Sequence, residues 1–181
     1  LAFAPILNNI GESASIFSVE SGLSFFSDQM GKRVGSESLT IYDEGNLKGG
    51  IGSSKSDAEG IPTQKTTLID KGIYRNYLHS VNTGRKYKTE STGNGGMIVP
   101  EPWNIVVKPG LGSLDKMIKD VKNGLYVTNV WYTRFANYHT GDFSTIPRDG
   151  AFLIKNGKIV NSLKGIRISE NVLNMLKNVK E

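Results

Sequence analysis

Hydrophobic positions in the first forty residues follow a helical spacing and then change to a strand pattern. Ser18 can cap a helix that we expect over Val19–Met30, and Gly31 can end it. Its apolar residues are three and four positions apart, which puts them on one face: Leu23, Phe26 and Met30. The run Leu39–Tyr42 then predicts a short strand.

Two later segments each contain a pair of β-prone runs joined by a short polar turn. The turn at 70–72 reads Asp-Lys-Gly, and the turn at 155–158 contains Asn-Gly. Glycine in such a turn is typical of a β-hairpin, because it accepts the positive φ that the turn needs. We therefore predict one hairpin over 66–78 and another over 151–160.

The remaining elements decide the fold class. Strands are expected over 105–108 and 124–131, and Ser113 can cap a helix that runs to Val121. A closing helix, capped by Ser169, has an apolar stripe formed by Val172, Leu173, Leu176 and Val179. Strands and helices do not alternate regularly, which favours an α+β fold. We expect a mostly antiparallel or mixed, curved sheet with hairpins and about three flanking helices.

Composition excludes several kinds of chemistry. The 181 residues contain no cysteine, which excludes a disulfide scaffold, a cysteine nucleophile and a thiolate metal site. His79 and His139 are the only histidines, and neither has a second histidine within a helical turn. The absence of cysteine fits a reducing cytoplasm. The opening residues 1–5 lack the features of a secretory signal and are typical of the interior of a longer protein.

Charge is distributed unevenly along the chain. Residues 1–60 hold 4 basic and 8 acidic side chains, whereas residues 61–181 hold 18 and 9, within a net charge of +5. A basic half can bind nucleic acid or an acidic partner. The lysines are scattered and form no block interleaved with aromatic residues, which makes nucleic acid a weak expectation.

Two loops carry the residues best suited to bind a ligand. Ser91-Thr92-Gly93-Asn94-Gly95 could hold a phosphate or a peptide backbone through its amide groups, although a simple turn is the plainer interpretation. The segment from Tyr132 to Arg148 is expected to be a polar and aromatic loop between two strands. We predict contacts with an extended peptide, an acidic group or a partner from Tyr132, Arg134, His139 and Asp142. The plainer interpretation is a well hydrogen-bonded loop with an arginine–aspartate pair. The carboxylate pairs Asp43-Glu44 and Asp57/Glu59 are expected to be solvated or to bond loop amides, and their alternative, functional role is mainly that of loop organisers.

An ordered set of short blocks resembles the TldD/PmbA family, in which PmbA is also called TldE. The blocks span most of residues 21–179: Asp43-Glu44-Gly45, Ser56–Thr66, Leu68–Gly72, Tyr77-Leu78, Ser91–Gly95, Gly141–Ser144 and Arg148–Lys158. Each block alone is weak, but their order is specific. The resemblance implies a cytosolic zinc metallopeptidase family that cleaves peptides and flexible protein segments, with links to peptide-toxin maturation and to modulation of DNA gyrase.

The resemblance also implies a division of labour between two subunits. It places residues 1–181 in the C-terminal domain of a two-domain protein. The TldD-type subunit binds zinc through an HExxxH helix and a later cysteine, and the PmbA/TldE-type subunit lacks these ligands. This sequence has neither, and it reads Asn8–Ser15 where that helix is expected. Residues 1–5 resemble the PmbA-type opening.

Three hypotheses follow. The first is a PmbA/TldE-type subunit without a zinc site or catalytic residue of its own, which pairs with a zinc-bearing TldD-type subunit or forms a homodimer, and holds an extended peptide at a sheet edge. The second is a self-sufficient hydrolase that uses His139 and Asp142, although Ser144 lies too close to them in sequence for a typical triad. The third is a basic module that binds nucleic acid. No segment is long and apolar enough to span a membrane.

Overall fold

The computed structural model describes residues 3–180, so Leu1 and Ala2 of the opening segment lie outside the described residues. Five helices occur in this range: α1 (Ala4–Ala14), α2 (Ile16–Glu20), α3 (Val81–Tyr87), α4 (Leu114–Asp120) and α5 (Val172–Lys177). None of them is long and apolar enough to cross a bilayer. The predicted α+β class is confirmed, with five helices in place of about three.

The first sheet has four antiparallel strands: β1 (Ile41–Glu44), β2 (Lys65–Asp70), β3 (Ile73–Tyr74) and β4 (Ile105–Val107). Their spatial order is β3-β2-β1-β4, which makes β1 a central strand between β2 and β4. β1 overlaps the predicted strand Leu39–Tyr42 but begins and ends two residues later. β4 matches the strand expected over 105–108. The central position of β1 fixes both carboxylates of the pair Asp43-Glu44 to the sheet.

The second sheet also has four antiparallel strands: β5 (Asn123–Asn137), β6 (Asp142–Lys155), β7 (Lys158–Ser162) and β8 (Ile168–Asn171). β6 pairs with β5 along most of its length, with β7 near one end and with β8 near the other. Among residues 3–180, β5 pairs with no strand on its other side. This sheet therefore ends in a 15-residue edge strand.

Both predicted hairpins are confirmed, and the turn residues explain why. Lys71 and Gly72 have φ values of 46° and 79°, and Asn156 and Gly157 have values of 48° and 74°. Two consecutive residues with positive φ form the tight turn that suits the right-handed twist of paired strands. Glycine and asparagine adopt this backbone conformation most readily.

The hydrophobic core lies where α1, α5 and the first sheet meet. Ile10 of α1, Leu68 of β2 and Leu176 of α5 are fully buried in one cluster. Phe26 stacks on Tyr74 with 4.3 Å between ring centroids. The predicted stripe of α5 is confirmed, since its members are either buried or packed against this cluster.

The helix predicted over Val19–Met30 is wrong. α2 ends at Glu20, and Gly22 adopts a φ of 70°. The Ser24 hydroxyl then donates to the carbonyl oxygen of Ser13 at 2.6 Å and accepts from the amide of Phe26 at 2.9 Å. These side-chain bonds replace helical ones, and the turn lets two consecutive phenylalanines, at positions 25 and 26, both enter the core.

The two remaining helix caps give different outcomes. Ser113 caps α4 as predicted, because its hydroxyl accepts from the amide of Lys116. No residue of α4 is buried, so its apolar face stays at the surface. Ser169 is not a cap, because it pairs with Ser144 in the second sheet, and Asn171 caps α5 instead.

The turn glycine of the first hairpin offers a test of this fold. A Cβ at Gly72 would clash with the carbonyl oxygens of Gly35 and Ser36, whereas Gly60, with a similar φ of 80°, has no atom within 4 Å of such a Cβ. Gly72→Ala should therefore lower the free energy of unfolding by about 3 kcal/mol or more, and Gly60→Ala by about 1 kcal/mol. Urea denaturation of both variants measures the difference, and equal losses would contradict the described packing.

Candidate functional site

The loop Ser91–Gly95 folds against the first sheet, and Asn94 is its buried centre. The Asn94 Nδ2 atom donates to Asp43 Oδ2 at 2.6 Å and to the carbonyl oxygen of Glu101 at 2.9 Å. Its Oδ1 atom accepts from the Thr92 hydroxyl at 2.7 Å. Every polar atom of this side chain thus has a partner, which fixes the loop to β1.

Asp43 is a buried carboxylate without a basic partner. Its exposed fraction is 1%, and its Oδ1 atom accepts from the amide of Trp103 at 2.8 Å. Burial raises the pKa of Asp43 to about 6, although the hydrogen bonds from Asn94 and Trp103 favour the charged form. One carboxylate therefore joins β1 to two segments that are 51 and 60 residues further along the chain.

A second pair of carboxylates organises the loop that precedes β2. Asp57 Oδ1 accepts from the amides of Glu59 and Ile61 at 2.9 Å each, and Asp57 Oδ2 accepts from the amide of Gly95 at 2.8 Å. Glu59 Oε2 accepts from the amide of Val81 at 2.7 Å. Asp57 and Glu59 thus accept hydrogen bonds from backbone amides, which was one of the alternatives predicted for this pair.

Three of the five amides of the loop Ser91–Gly95 are already engaged within the protein. The amide of Thr92 donates to the carbonyl of His79, and that of Gly93 to the Ser91 hydroxyl. The Gly95 amide is taken by the carboxylate described above. The plainer interpretation of this segment as a structured turn thus agrees with the geometry, and contact between this loop and a substrate stays a prediction.

A cleft of about 580 Å³ opens beside this loop. Met97 and Ile98, at the tip of the loop that follows Gly95, are 94% and 93% exposed. An ion pair between Lys86 Nζ and Glu20 Oε1 at 2.8 Å lies on the lining of the same cleft. The cleft thus combines an apolar rim with a charged wall, an arrangement that suits a peptide side chain.

Three of the four residues predicted between Tyr132 and Arg148 lie on strands of the second sheet rather than in a loop. Tyr132 and Arg134 belong to β5, Asp142 begins β6, and His139 lies in the turn between these strands. The expected loop is therefore a long hairpin. Bulges in β5 interrupt its alternation of polar and apolar positions, so the sequence pattern did not show a strand.

Tyr132 and Arg134 form one stacked pair. The guanidinium carbon of Arg134 lies 4.4 Å from the centre of the Tyr132 ring, and its Nη2 atom donates to the Tyr132 hydroxyl at 2.7 Å. Tyr132 has a φ of 63°, which marks the bulge. The pair is exposed on the open edge strand.

His139 and Asp142 do not form a catalytic pair. Asp142 accepts hydrogen bonds from Asn171 and from the Thr140 hydroxyl, and both bonds lower its pKa. Within residues 3–180, no hydrogen bond joins the His139 ring to Asp142. Nothing in this geometry favours the self-sufficient hydrolase.

The donor set does not fit zinc. His79, expected at a strand end, lies just before the cap of α3, and its Nδ1 atom is 3.3 Å from the Thr83 hydroxyl. On α1, Asn8 Nδ2 donates to Glu12 Oε1 at 2.8 Å. No group of three potential metal ligands exists in the described part of the chain.

One face of the second sheet carries a cluster of arginine and aromatic side chains that the sequence pattern did not predict. The guanidinium carbon of Arg148, on β6, lies 4.4 Å from the centre of the Trp131 ring on β5. Strand register places further residues on this face, which we call the arginine face: Trp131, Tyr132, Arg134, Ser144, Ile146, Arg148 and Arg167. Trp131 and Arg148 are 17 positions apart, so only the pairing of the strands could have brought them together.

The buried acid predicts a pH-dependent stability. Because the pKa of Asp43 is raised from 3.8 to about 6, its contribution is fully present below pH 3.8 and is lost as pH rises through about 6. The full effect is about 3 kcal/mol, since each pKa unit corresponds to 1.4 kcal/mol, and about 2 kcal/mol of it should be lost between pH 4.5 and pH 7. Urea denaturation between pH 4.5 and pH 7 should show this slope in the wild type and not in Asp43→Asn.

The difference in unfolding free energy between the wild type and Asp43→Asn removes the effect of other titrating groups. Burial lowers the pKa of His79, which makes its contribution change in the opposite direction, with stability lost as pH falls below 6.5. This effect is common to both proteins and cancels in the difference. Identical slopes for the wild type and Asp43→Asn would contradict the assignment.

Comparison with known proteins gives a family model for residues 1–181 and relatives that cover most of the chain. A family model described as the PmbA/TldA metallopeptidase C-terminal domain matches residues 1–181. Metalloprotease MJ0996 of Methanocaldococcus jannaschii is 36% identical over 162 residues, which are 84% of this chain and 35% of that protein. The Haemophilus influenzae protein named Metalloprotease PmbA homolog is 33% identical over 157 residues, 86% of this chain and 33% of that protein.

Solved structures share the fold. A Thermotoga maritima protein described as a candidate modulator of a DNA gyrase has a TM-score of 0.91 and 28% identity, covering 98% of this chain and 41% of that protein. TldE from Thermococcus kodakarensis has a TM-score of 0.86 and 25% identity, covering 100% of this chain and 42% of that one. The chain thus spans less than half the length of these relatives.

The family model covers every residue of the sequence, and relatives that are more than 30% identical cover most of it. The order of the sequence blocks noted above agrees with this result. The chain belongs to the PmbA/TldD metallopeptidase family.

Proposed function

We propose that this chain is the C-terminal domain of a PmbA/TldE-type subunit, which has no zinc site of its own and supports a zinc-bearing TldD-type partner in the cleavage of peptides. The observation that carries the peptide role is the open edge of β5, which is 15 residues long and carries Tyr132 and Arg134. An extended peptide can add to such an edge through backbone hydrogen bonds, with little dependence on its sequence.

The division of labour rests on the donor set. The sequence has no cysteine, its two histidines lie on different parts of the fold, and α1 carries an asparagine–glutamate pair. Zinc in peptidases is held by a combination of histidine, cysteine and carboxylate ligands that converge on one point. We therefore assign the metal to the partner and the positioning of the peptide to this chain. Its lack of cysteine also suits a cytoplasmic location, which forms part of the proposal.

The assignment of zinc can be tested on the full-length parent protein. Purified without its partner, the parent should hold close to no zinc by elemental analysis and should not cleave a flexible peptide. Mixed with the TldD-type partner, it should raise cleavage well above that of the partner alone. A zinc content near one per chain would overturn the assignment, and a self-sufficient activity that His139→Ala abolishes would restore the hydrolase hypothesis.

Backbone pairing at the edge of β5 has its own test. A strand uses the amide groups of alternate residues to pair with one neighbour. Two versions of one peptide, N-methylated at odd or at even positions, should therefore differ in affinity for the full-length protein by about tenfold or more. The unmethylated peptide is the control, and fluorescence anisotropy is the measurement. Equal affinities of the two methylated versions would exclude pairing as the mode of binding.

A further inference from the structure

The arginine face carries three guanidinium groups that no acidic side chain neutralises. Arg134, Arg148 and Arg167 are exposed, and none forms a salt bridge within residues 3–180. Arg167 donates to the hydroxyl of Ser144 at 3.2 Å, and the other two stack on aromatic rings. An uncompensated group of arginines beside an open strand edge favours an acidic ligand.

The acids nearest in sequence are already engaged by neutral groups. Asp149 accepts from Asn129 Nδ2 at 3.0 Å, and Asp142 accepts from Asn171 and Thr140. These carboxylates reduce the positive potential of the face but form no salt bridge with its guanidiniums, whose hydrogen bonds within residues 3–180 go only to the hydroxyls of Tyr132 and Ser144. The other N–H donors therefore remain available to a ligand.

Stacking on aromatic rings holds the guanidinium groups of Arg134 and Arg148 beside the edge strand β5. Arg134 belongs to β5 itself, whereas Arg148 starts from β6 and extends over the Trp131 ring of β5. The stacked rings restrict each guanidinium and leave its N–H groups directed along its own plane. A peptide added to β5 would lie about 4.8 Å away from that strand, within reach of both groups.

The bulge at Tyr132 decides which face of the sheet Trp131 and Arg134 occupy. Trp131 pairs with Ile146 and Arg134 pairs with Ser144, so three steps on β5 correspond to two steps on β6. Residues two apart on a strand point to the same face. The bulge thus keeps Trp131 and Arg134 on one face of the sheet, the face that alternate residues of an added strand would also share.

We propose that the arginine face selects peptide segments with acidic residues at alternate positions, Asp/Glu-x-Asp/Glu, when they add to the edge of β5. This inference rests on the proposed function, because it takes the same edge as the peptide site and names the class of substrate. A peptide is favoured over single-stranded nucleic acid, because one face of each ring is already covered by a guanidinium and the open edge offers backbone pairing rather than a stacking platform.

The experiment compares three fluorescein-labelled peptides on the full-length protein by anisotropy. The first is Ala-Val-Asp-Ala-Asp-Val-Ala, the second has Asn at both Asp positions, and the third has its two Asp residues adjacent. The wild type should bind the first about tenfold more tightly than the second at low salt, since paired charges of this kind are strengthened by hydrogen bonding. The third peptide should bind more weakly than the first, and added NaCl should reduce the preference.

Matched variants locate the effect. Arg134→Gln and Arg148→Gln should each reduce the preference for the acidic peptide by about threefold, without a change for the Asn peptide. Arg85→Gln removes the same charge from α3, on another part of the surface, and should leave the preference intact. An equal effect of Arg85→Gln would mean that only net charge matters and would overturn the proposal.

Three further outcomes distinguish this inference from the proposed function and from binding of nucleic acid. Equal binding of the Asp and Asn peptides would overturn the acidic preference and leave the edge-binding role standing. Failure of all three peptides to bind would count against the peptide role itself. Displacement of the acidic peptide by an oligo(dT) strand, with tighter binding of that strand, would assign the arginine face to nucleic acid instead.

Discussion

The hydrogen bonds of the buried Asp43 carboxylate hold the region around Asn94 against the first sheet. Asp43 lies on a central strand and accepts hydrogen bonds from Asn94 and from the backbone of Trp103. A buried charge is unfavourable unless its hydrogen bonds are complete, so the two segments cannot move away from β1 without leaving the acid unsatisfied. The apolar tip at Met97 and Ile98 is therefore positioned by the sheet, although its own side chains contact almost nothing.

The two candidate regions lie on different sheets and have different physical characters. The region around Asn94 is buried and internally bonded, and it exposes only a loop tip and a cleft. The arginine face is an exposed surface without a salt bridge, next to the edge of β5 that pairs with no other strand among residues 3–180. Since α1 and α5 occupy the space between the sheets, substitutions on the arginine face leave the main core untouched.

Local chemistry was enough to predict part of this structure. The Asp-Lys-Gly and Asn-Gly turns, the cap at Ser113 and the stripe of α5 each depend on neighbours in sequence, and each was predictable. The helix expected over Val19–Met30 failed because burial of two consecutive phenylalanines and the bonds of Ser24 outweigh helical spacing. The arginine face was out of reach, because it depends on a strand register that bulges conceal.

The bulges of β5 have a further consequence for how identical chains behave together. Pairing is irregular between Val127 and Asn129, between Trp131 and Arg134, and between Phe135 and Asn137. Each irregularity bends and twists the strand. A long, flat edge is a template on which folded copies polymerise, whereas a kinked edge resists that because a second rigid strand cannot follow its bends. A flexible segment can follow such bends, so the bulges disfavour edge-to-edge pairing between folded copies more than pairing with an unstructured segment.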